Sequence, residues 1–240
     1  MSREEPLMCP IEKEPEFVLK PLSPVRKAIV ERVSRSFQTI PQFDLHLEVD
    51  ASAFVGARAA LRAEGGEVVP GCNDMLITCL SKTLENHPDL NAHFEHDGIK
   101  IFKEINIGFA VATSGGVVLP VIRRANTRSL REIARESAKL IDLARRNLLR
   151  SSLQLHGTFT LSSLGQHGID SFNAIISPPQ VAVLATGAIR KKPCIRDDGI
   201  FPLETLHLTL TVDHRAIDGA EAASFLVEVG ANISNFSLTR

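Results

Sequence analysis

Leu206, Leu208, Leu210 and Val212 alternate with His207, Thr209 and Thr211. A strict two-residue period fits a β-strand with one apolar face and does not fit a helix. The strand pattern runs directly into Asp213-His214-Arg215-Ala-Ile-Asp218-Gly219, and a helical apolar pattern follows from about Ala220 to Ile233. A strand-to-helix junction is where a fold can hold a titratable group rigidly while leaving it open to a substrate. If the strand persists, His214 continues the apolar row while Thr209, Thr211 and Asp213 face the other way. An imidazole at the end of a buried row can be shielded from water yet reach a channel. A histidine with a carboxylate four residues on suits proton transfer near neutral pH. The same pattern also describes a hydrogen-bonded core histidine. Asp218 stands three residues before Glu221, ahead of an apolar helix. Helix capping and ordering of the His214 loop are both open to it.

The rest of the chain supplies further strands and helices without strict βαβ alternation. Residues 1–20 are rich in Glu, Pro and Lys and read as an N-terminal arm, with one domain over 21–240. Ser23-Pro24 starts a helix whose apolar positions are Val25, Ile29, Val30, Val33 and Phe37. Phe43, Leu45, Leu47 and Val49 alternate as a strand. Helices are predicted over 51–64 and from an Asn73 cap to His87-Pro88. Strands are predicted at 99–102, 105–113 and 117–122, with a hairpin turn at Ser114-Gly115-Gly116. The longest helical pattern spans 129–149, its apolar stripe backed by Arg and Lys on the solvated face. Strands at 158–162, 180–189 and 206–212 complete the pattern. The expected fold is a two-layer α/β sandwich with a mixed β-sheet.

Bulk properties exclude several function classes. Net charge is −1 over 240 residues, with no Trp or Tyr. Nothing there advertises nucleic acid or an anionic membrane surface. The apolar runs are strand-length, far too short to span a bilayer. Cys9, Cys72, Cys79 and Cys194 lack metal-ligand spacing, and no signal peptide precedes them. They read as reduced thiols in a cytoplasmic protein.

A second stretch that could carry chemistry is Gly157-Thr-Phe-Thr-Leu-Ser162-Ser163-Leu-Gly165-Gln-His-Gly168. Here a strand ends in hydroxyls and glycines. Glycine lets a ligand approach the backbone, and a hydroxyl can donate to a developing oxyanion. Neither serine has a glycine two residues away on both sides, so this is no hydrolase elbow. A plain loop of small residues would look similar. His156 and His167 read as surface residues.

Taken together, four blocks resemble the catalytic domain of the dihydrolipoamide acyltransferases, core subunits of 2-oxo acid dehydrogenase complexes. They are Pro21-Leu-Ser-Pro-Val-Arg26 with Gln38-Thr-Ile-Pro41; Asn106-Ile-Gly-Phe-Ala-Val-Ala-Thr113 with Leu119-Pro-Val-Ile122; Phe159-Thr-Leu-Ser162-Ser-Leu-Gly165 with Ala174-Ile-Ile-Ser-Pro-Pro-Gln180; and Asp213-His214-Arg215-Ala-Ile-Asp218-Gly219. The resemblance covers roughly residues 20–236. It implies a chloramphenicol-acetyltransferase-like fold and a homotrimer with active sites between subunits. It further implies His214 as the base, Ser162 as oxyanion donor and Asp218 as the acid that orders the loop. Arg26 becomes a candidate partner for a carboxylate near the site. Acetyl-CoA or another acyl-CoA would be cosubstrate, with no bound cofactor or metal.

Ser163 and Ser177 stand where the family commonly has Asn. The family's full-length members also carry lipoyl and subunit-binding domains, which this sequence lacks. The first expectation is therefore a stand-alone acyltransferase acting on the hydroxyl of a small-molecule or carrier-bound acceptor, such as a tetronate-type intermediate of secondary metabolism. The alternative is a dihydrolipoamide acyltransferase core, served by a lipoyl group on another chain. A non-catalytic trimeric scaffold is the lesser alternative.

Overall fold

The structure, a computed structural model, describes residues 15–96, 98–196 and 199–238. Most of the expected arm lies outside these residues; residues 15–23 have no regular structure and are exposed. In chain order the elements are α1 (Pro24–Thr39), β1 (Gln42–Asp50), α2 (Ser52–Glu64), α3 (Cys72–Asn86), β2 (Ala92–Glu95), β3 (Gly98–Ile101), β4 (Ile107–Phe109), β5 (Val111–Thr113), β6 (Gly116–Val118) and β7 (Val121–Ile122). There follow α4 (Leu130–Arg145), β8 (Phe159–Ser163), β9 (Ala182–Thr186), β10 (Arg190–Arg196), β11 (Gly199–Asp213) and α5 (Gly219–Ser234).

The caps explain several boundaries. The Ser23 hydroxyl accepts from the Arg26 backbone N–H at the start of α1. Ser129 and Glu132 form a reciprocal capping box on α4. The third helix begins at Cys72, two residues before a cap at Asn73 would allow, because its cap is Gly71, whose N–H donates to the Asp74 carboxylate.

The main sheet runs β1-β11-β9-β8-β4-β7, with β10 paired to the first half of β11. β8 is parallel to both β4 and β9, and the other pairings are antiparallel, so the sheet is mixed as expected. One face carries the principal core, where Leu206, Leu208, Leu210 and Val212 meet Phe225 and Val229 of α5, Phe54 of α2 and Leu80 of α3. The opposite face is polar. Thr209 meets His46, Thr211 meets Asp44, and Asp44 also accepts from Asn173. A small cluster of Ile40, Ile176 and Val183 closes that side.

α1 departs from its pattern. Its apolar stripe is the part that would be expected to face a core, yet Val25, Val30, Val33 and Phe37 are exposed, Phe37 at 73%. The helix is tied down through the buried Ser36 hydroxyl, which donates to the Ile176 carbonyl. Among the described residues, no helix is long and apolar enough to cross a membrane.

Candidate active site

His214 does not sit where the alternation places it. β11 ends at Asp213, and the Asp213 carbonyl then accepts from both Ala216 and Ile217 N–H groups, turning the chain. The imidazole leaves the buried row and its side chain is 54% exposed. Its backbone N–H donates to the Pro41 carbonyl at 3.0 Å. Its ring lies on Phe43, with centroids 4.5 Å apart and planes tilted by 43°. Phe43 stands opposite Val212 in the β1–β11 register and packs on the main core, so β1 supplies a fixed wall for the ring.

Asp218 occupies the cap position of α5 by backbone geometry, but its side chain makes no capping bond. Its carboxylate is 3.9 Å from His214 Nδ1 and 90% exposed. At that distance it influences the ring through space rather than through a hydrogen bond. Asp218 is thus a cap by position only, while its expected pairing with His214 stands as a contact at ion-pair distance rather than a hydrogen bond.

The His214 turn is clamped by its two flanking residues, a feature missed from the sequence. Asp213 is fully buried. Arg215 Nε donates to both of its oxygens at 2.9 and 3.2 Å, and Arg215 Nη2 donates to Oδ2 at 2.7 Å. The Arg215 backbone N–H adds a fourth bond at 3.0 Å. This ion pair raises the Arg215 guanidinium above its ordinary pKa. The same guanidinium stacks 4.2 Å over Phe94 of β2. Opposite charges two residues apart were visible in the sequence, but the burial that makes the pair matter was not.

Ser162 lies at the far end of the sheet. In register it neighbours Ala185, which neighbours Thr209. His214 is thus five residues along and two strands across, about 19 Å away at ~3.3 Å per residue and ~4.8 Å per strand. The structure does not bring Ser162 and His214 together within one chain. Ser162 is partly exposed, and among the described residues its hydroxyl has no hydrogen-bond partner. The turn after it is packed backbone on backbone. A Cβ on Gly165 would overlap the Gly187 carbonyl, and one on Gly187 would overlap the Asp170 carbonyl. Only glycine lets these three segments close around the end of β8.

Beside that strand end lies a cavity of about 700 Å³, lined among others by Ser163, Gly165, Gln166, Thr186, Arg58 and Asp74. Burial raises the Asp74 carboxyl above its ordinary range, against the lowering effect of hydrogen bonds from Ser137 and Gly71. Arg26, by contrast, lies beside Gly116 at the start of β6 and forms no ion pair among the described residues. His156 and His167 are exposed, as expected.

The chain resembles known proteins over nearly its whole length. The dihydrolipoyllysine-residue acetyltransferase component of the pyruvate dehydrogenase complex from Rickettsia conorii is 35% identical over 215 residues, which is 88% of this chain and 52% of that protein. The chain spans about half the length of such curated relatives. The dihydrolipoamide acetyltransferase of Azotobacter vinelandii, solved to examine a serine, a histidine and an asparagine in its catalytic mechanism, superposes with a TM-score of 0.90. Identity is 29%, covering 96% of this chain and 97% of that one. Chloramphenicol acetyltransferase shares the fold at a TM-score of 0.56 and 16% identity, covering 85% of this chain and 94% of that one. Residues 14–239 match the model of the 2-oxoacid dehydrogenases acyltransferase catalytic domain, and the chain belongs to that acyltransferase family.

Proposed function

We propose that the chain is the acyltransferase core of a 2-oxo acid dehydrogenase system, moving an acetyl group between the sulfurs of coenzyme A and dihydrolipoamide. The observation that carries this is one of spacing. Ser162, His214 and Asp218 are separated along the chain as the serine, histidine and asparagine of the Azotobacter protein are. The curated relatives act on a dihydrolipoyllysine residue by name, which favours a thiol acceptor. The hydroxyl acceptor of secondary metabolism, the first expectation from the sequence, has no such support.

The roles follow from chemistry. His214 takes the proton of the attacking thiol as its sulfur bonds to the thioester carbonyl carbon, worth about 10²–10⁴ in rate. Ser162 donates to the carbonyl oxygen as charge gathers there, worth about 10²–10³. The carbon–sulfur bond to the departing thiol then breaks, and His214 returns the proton to that sulfur. Asp218 contributes a nearby negative charge that favours the transient imidazolium.

With about 19 Å between Ser162 and His214 in one copy, the reaction needs the hydroxyl of one subunit and the imidazole of the next. The exposed apolar stripe of α1 is a surface for such a neighbour to cover, and a closed trimer is the arrangement we assign. Its mass would be three times the chain's 26.2 kDa. The test refolds two inactive variants together, His214→Ala and Ser162→Ala, with acetyl-CoA and free dihydrolipoamide as substrates. Mixed oligomers should recover activity, because some interfaces then hold both intact groups. Failure to recover, or transfer that survives His214→Ala alone, overturns the reading. Faster transfer to a hydroxyl acceptor than to dihydrolipoamide restores the first expectation.

A further inference from the structure

His214 differs from several other histidines of the chain in how its ring is held. His46, His87, His93 and His207 each have a ring nitrogen within hydrogen-bond distance of a neighbour: Thr209, Glu228, the Gly157 carbonyl and Lys192. Neither ring nitrogen of His214 has such a bond among the described residues, and Asp218, at 3.9 Å, is too far for one. A general base must keep its accepting nitrogen open to a substrate proton. That same openness leaves the ring without a polar anchor. The Asp213–Arg215 ion pair and the bond from the His214 N–H to the Pro41 carbonyl fix the backbone of the turn. They do not fix the side-chain torsions of His214.

Phe43 supplies the missing anchor. Its ring centroid lies 4.5 Å from that of the imidazole, within the range of favourable aromatic pairs. Phe43 is itself fixed from behind. Its backbone is paired, with Phe43 opposite Val212 and Gln42 opposite Asp213, and its side chain packs on the main core. The imidazole is otherwise largely open to water. Without the wall it would spread over the staggered χ1 wells and a broad, two-fold χ2. Resting on the acyltransferase reading above, we infer that Phe43 is a positioning residue: its ring holds the His214 imidazole in the orientation that proton transfer needs. It thereby governs kcat through His214 and leaves the affinity for both substrates alone.

Phe43→Leu keeps apolar volume against the core and removes the flat face. Freeing χ1 and χ2 dilutes the productive orientation by up to about sixfold. In acetyl transfer from acetyl-CoA to dihydrolipoamide, kcat should therefore fall by about three- to sixfold, with KM for both substrates within about twofold of the parent. Phe43→Tyr should restore kcat. In a His214→Ala background, Phe43→Leu should leave the residual rate unchanged, because it acts only through the imidazole. Leu45→Val trims the same face of β1 opposite Leu210, and should lower the melting temperature without lowering kcat. A merely structural role would instead lower the rate alike with and without His214, and Leu45→Val would lower kcat too. An unchanged kcat in Phe43→Leu, or a raised KM at unchanged kcat, overturns the inference, while an inactive His214→Ala leaves the acyltransferase reading standing. If His214→Ala stays active, that reading falls and the inference falls with it. Should Phe43→Leu fail to fold, Phe43→Met is measured in its place against the same outcomes.

Discussion

Arg215→Met should be one of the more damaging single substitutions beside the site. It leaves Asp213 fully buried and strips three side-chain N–H bonds from its carboxylate, so that only the Arg215 backbone N–H remains. Breaking a buried pair by removing one partner costs about 3–5 kcal/mol. The Arg215 side chain is 35% exposed, so water reaches part of the gap and the lower end applies. Losing the guanidinium over Phe94 adds roughly 0.5–1 kcal/mol. The sum, about 3–4 kcal/mol, is a large fraction of the ~5–15 kcal/mol that holds a typical domain folded. Urea unfolding at one fixed chain concentration reads it, since oligomerisation makes stability concentration-dependent. Adding Asp213→Asn should recover part of the loss, because an amide needs no counter-charge. Arg215→Lys should recover less than the parent holds, because an ammonium cannot reproduce the two-pronged contact. A loss under about 1 kcal/mol, or no recovery from the second substitution, would refute the reasoning.

Other outcomes follow from the same structure. Gly187→Ala should cost about 3 kcal/mol by forcing the Asp170 backbone aside, whereas Gly56→Ala, in open space within α2, should stabilise by about 0.5–1 kcal/mol; thermal melts compare the two. Burial pushes the Cys79 thiol up to about 12, so iodoacetamide should label it only after unfolding, by mass spectrometry of the modified peptide. Burial also holds Asp74 above its ordinary range, so the folded chain keeps that proton to higher pH than the unfolded chain. Its contribution to stability is then full below the unfolded pKa and is lost as pH rises through the folded one. Asp74→Asn should remove that slope; parallel stability curves for parent and variant across the carboxylate range would contradict it.

Much of the fold was legible because short-range patterns decide it. Ser23-Pro24 and the alternation from Phe43 to Val49 place the start of α1 and the span of β1 within a residue or two, and α4 starts as expected but ends at Arg145, four residues before the expected 149. β10 was missed because Arg190–Arg196 mixes basic residues with Pro193 and shows no clean period; only pairing with the extended half of β11 makes it a strand. β2 is too short to announce itself. The α1 stripe was read correctly as apolar, but periodicity did not tell that Val25, Val30, Val33 and Phe37 stand exposed.

The sequence by itself determined the candidates for the chemistry: an imidazole after a strand, hydroxyls at the end of another, and the glycines that let backbones meet. Periodicity states which face of a strand a residue occupies and says nothing of which strand lies beside it or how far along. That is why the Phe43 wall and the Asp213–Arg215 clamp emerged only in three dimensions. Strand order and register alone put Ser162 and His214 at opposite ends of one sheet, so within one chain the hydroxyl and the imidazole do not meet.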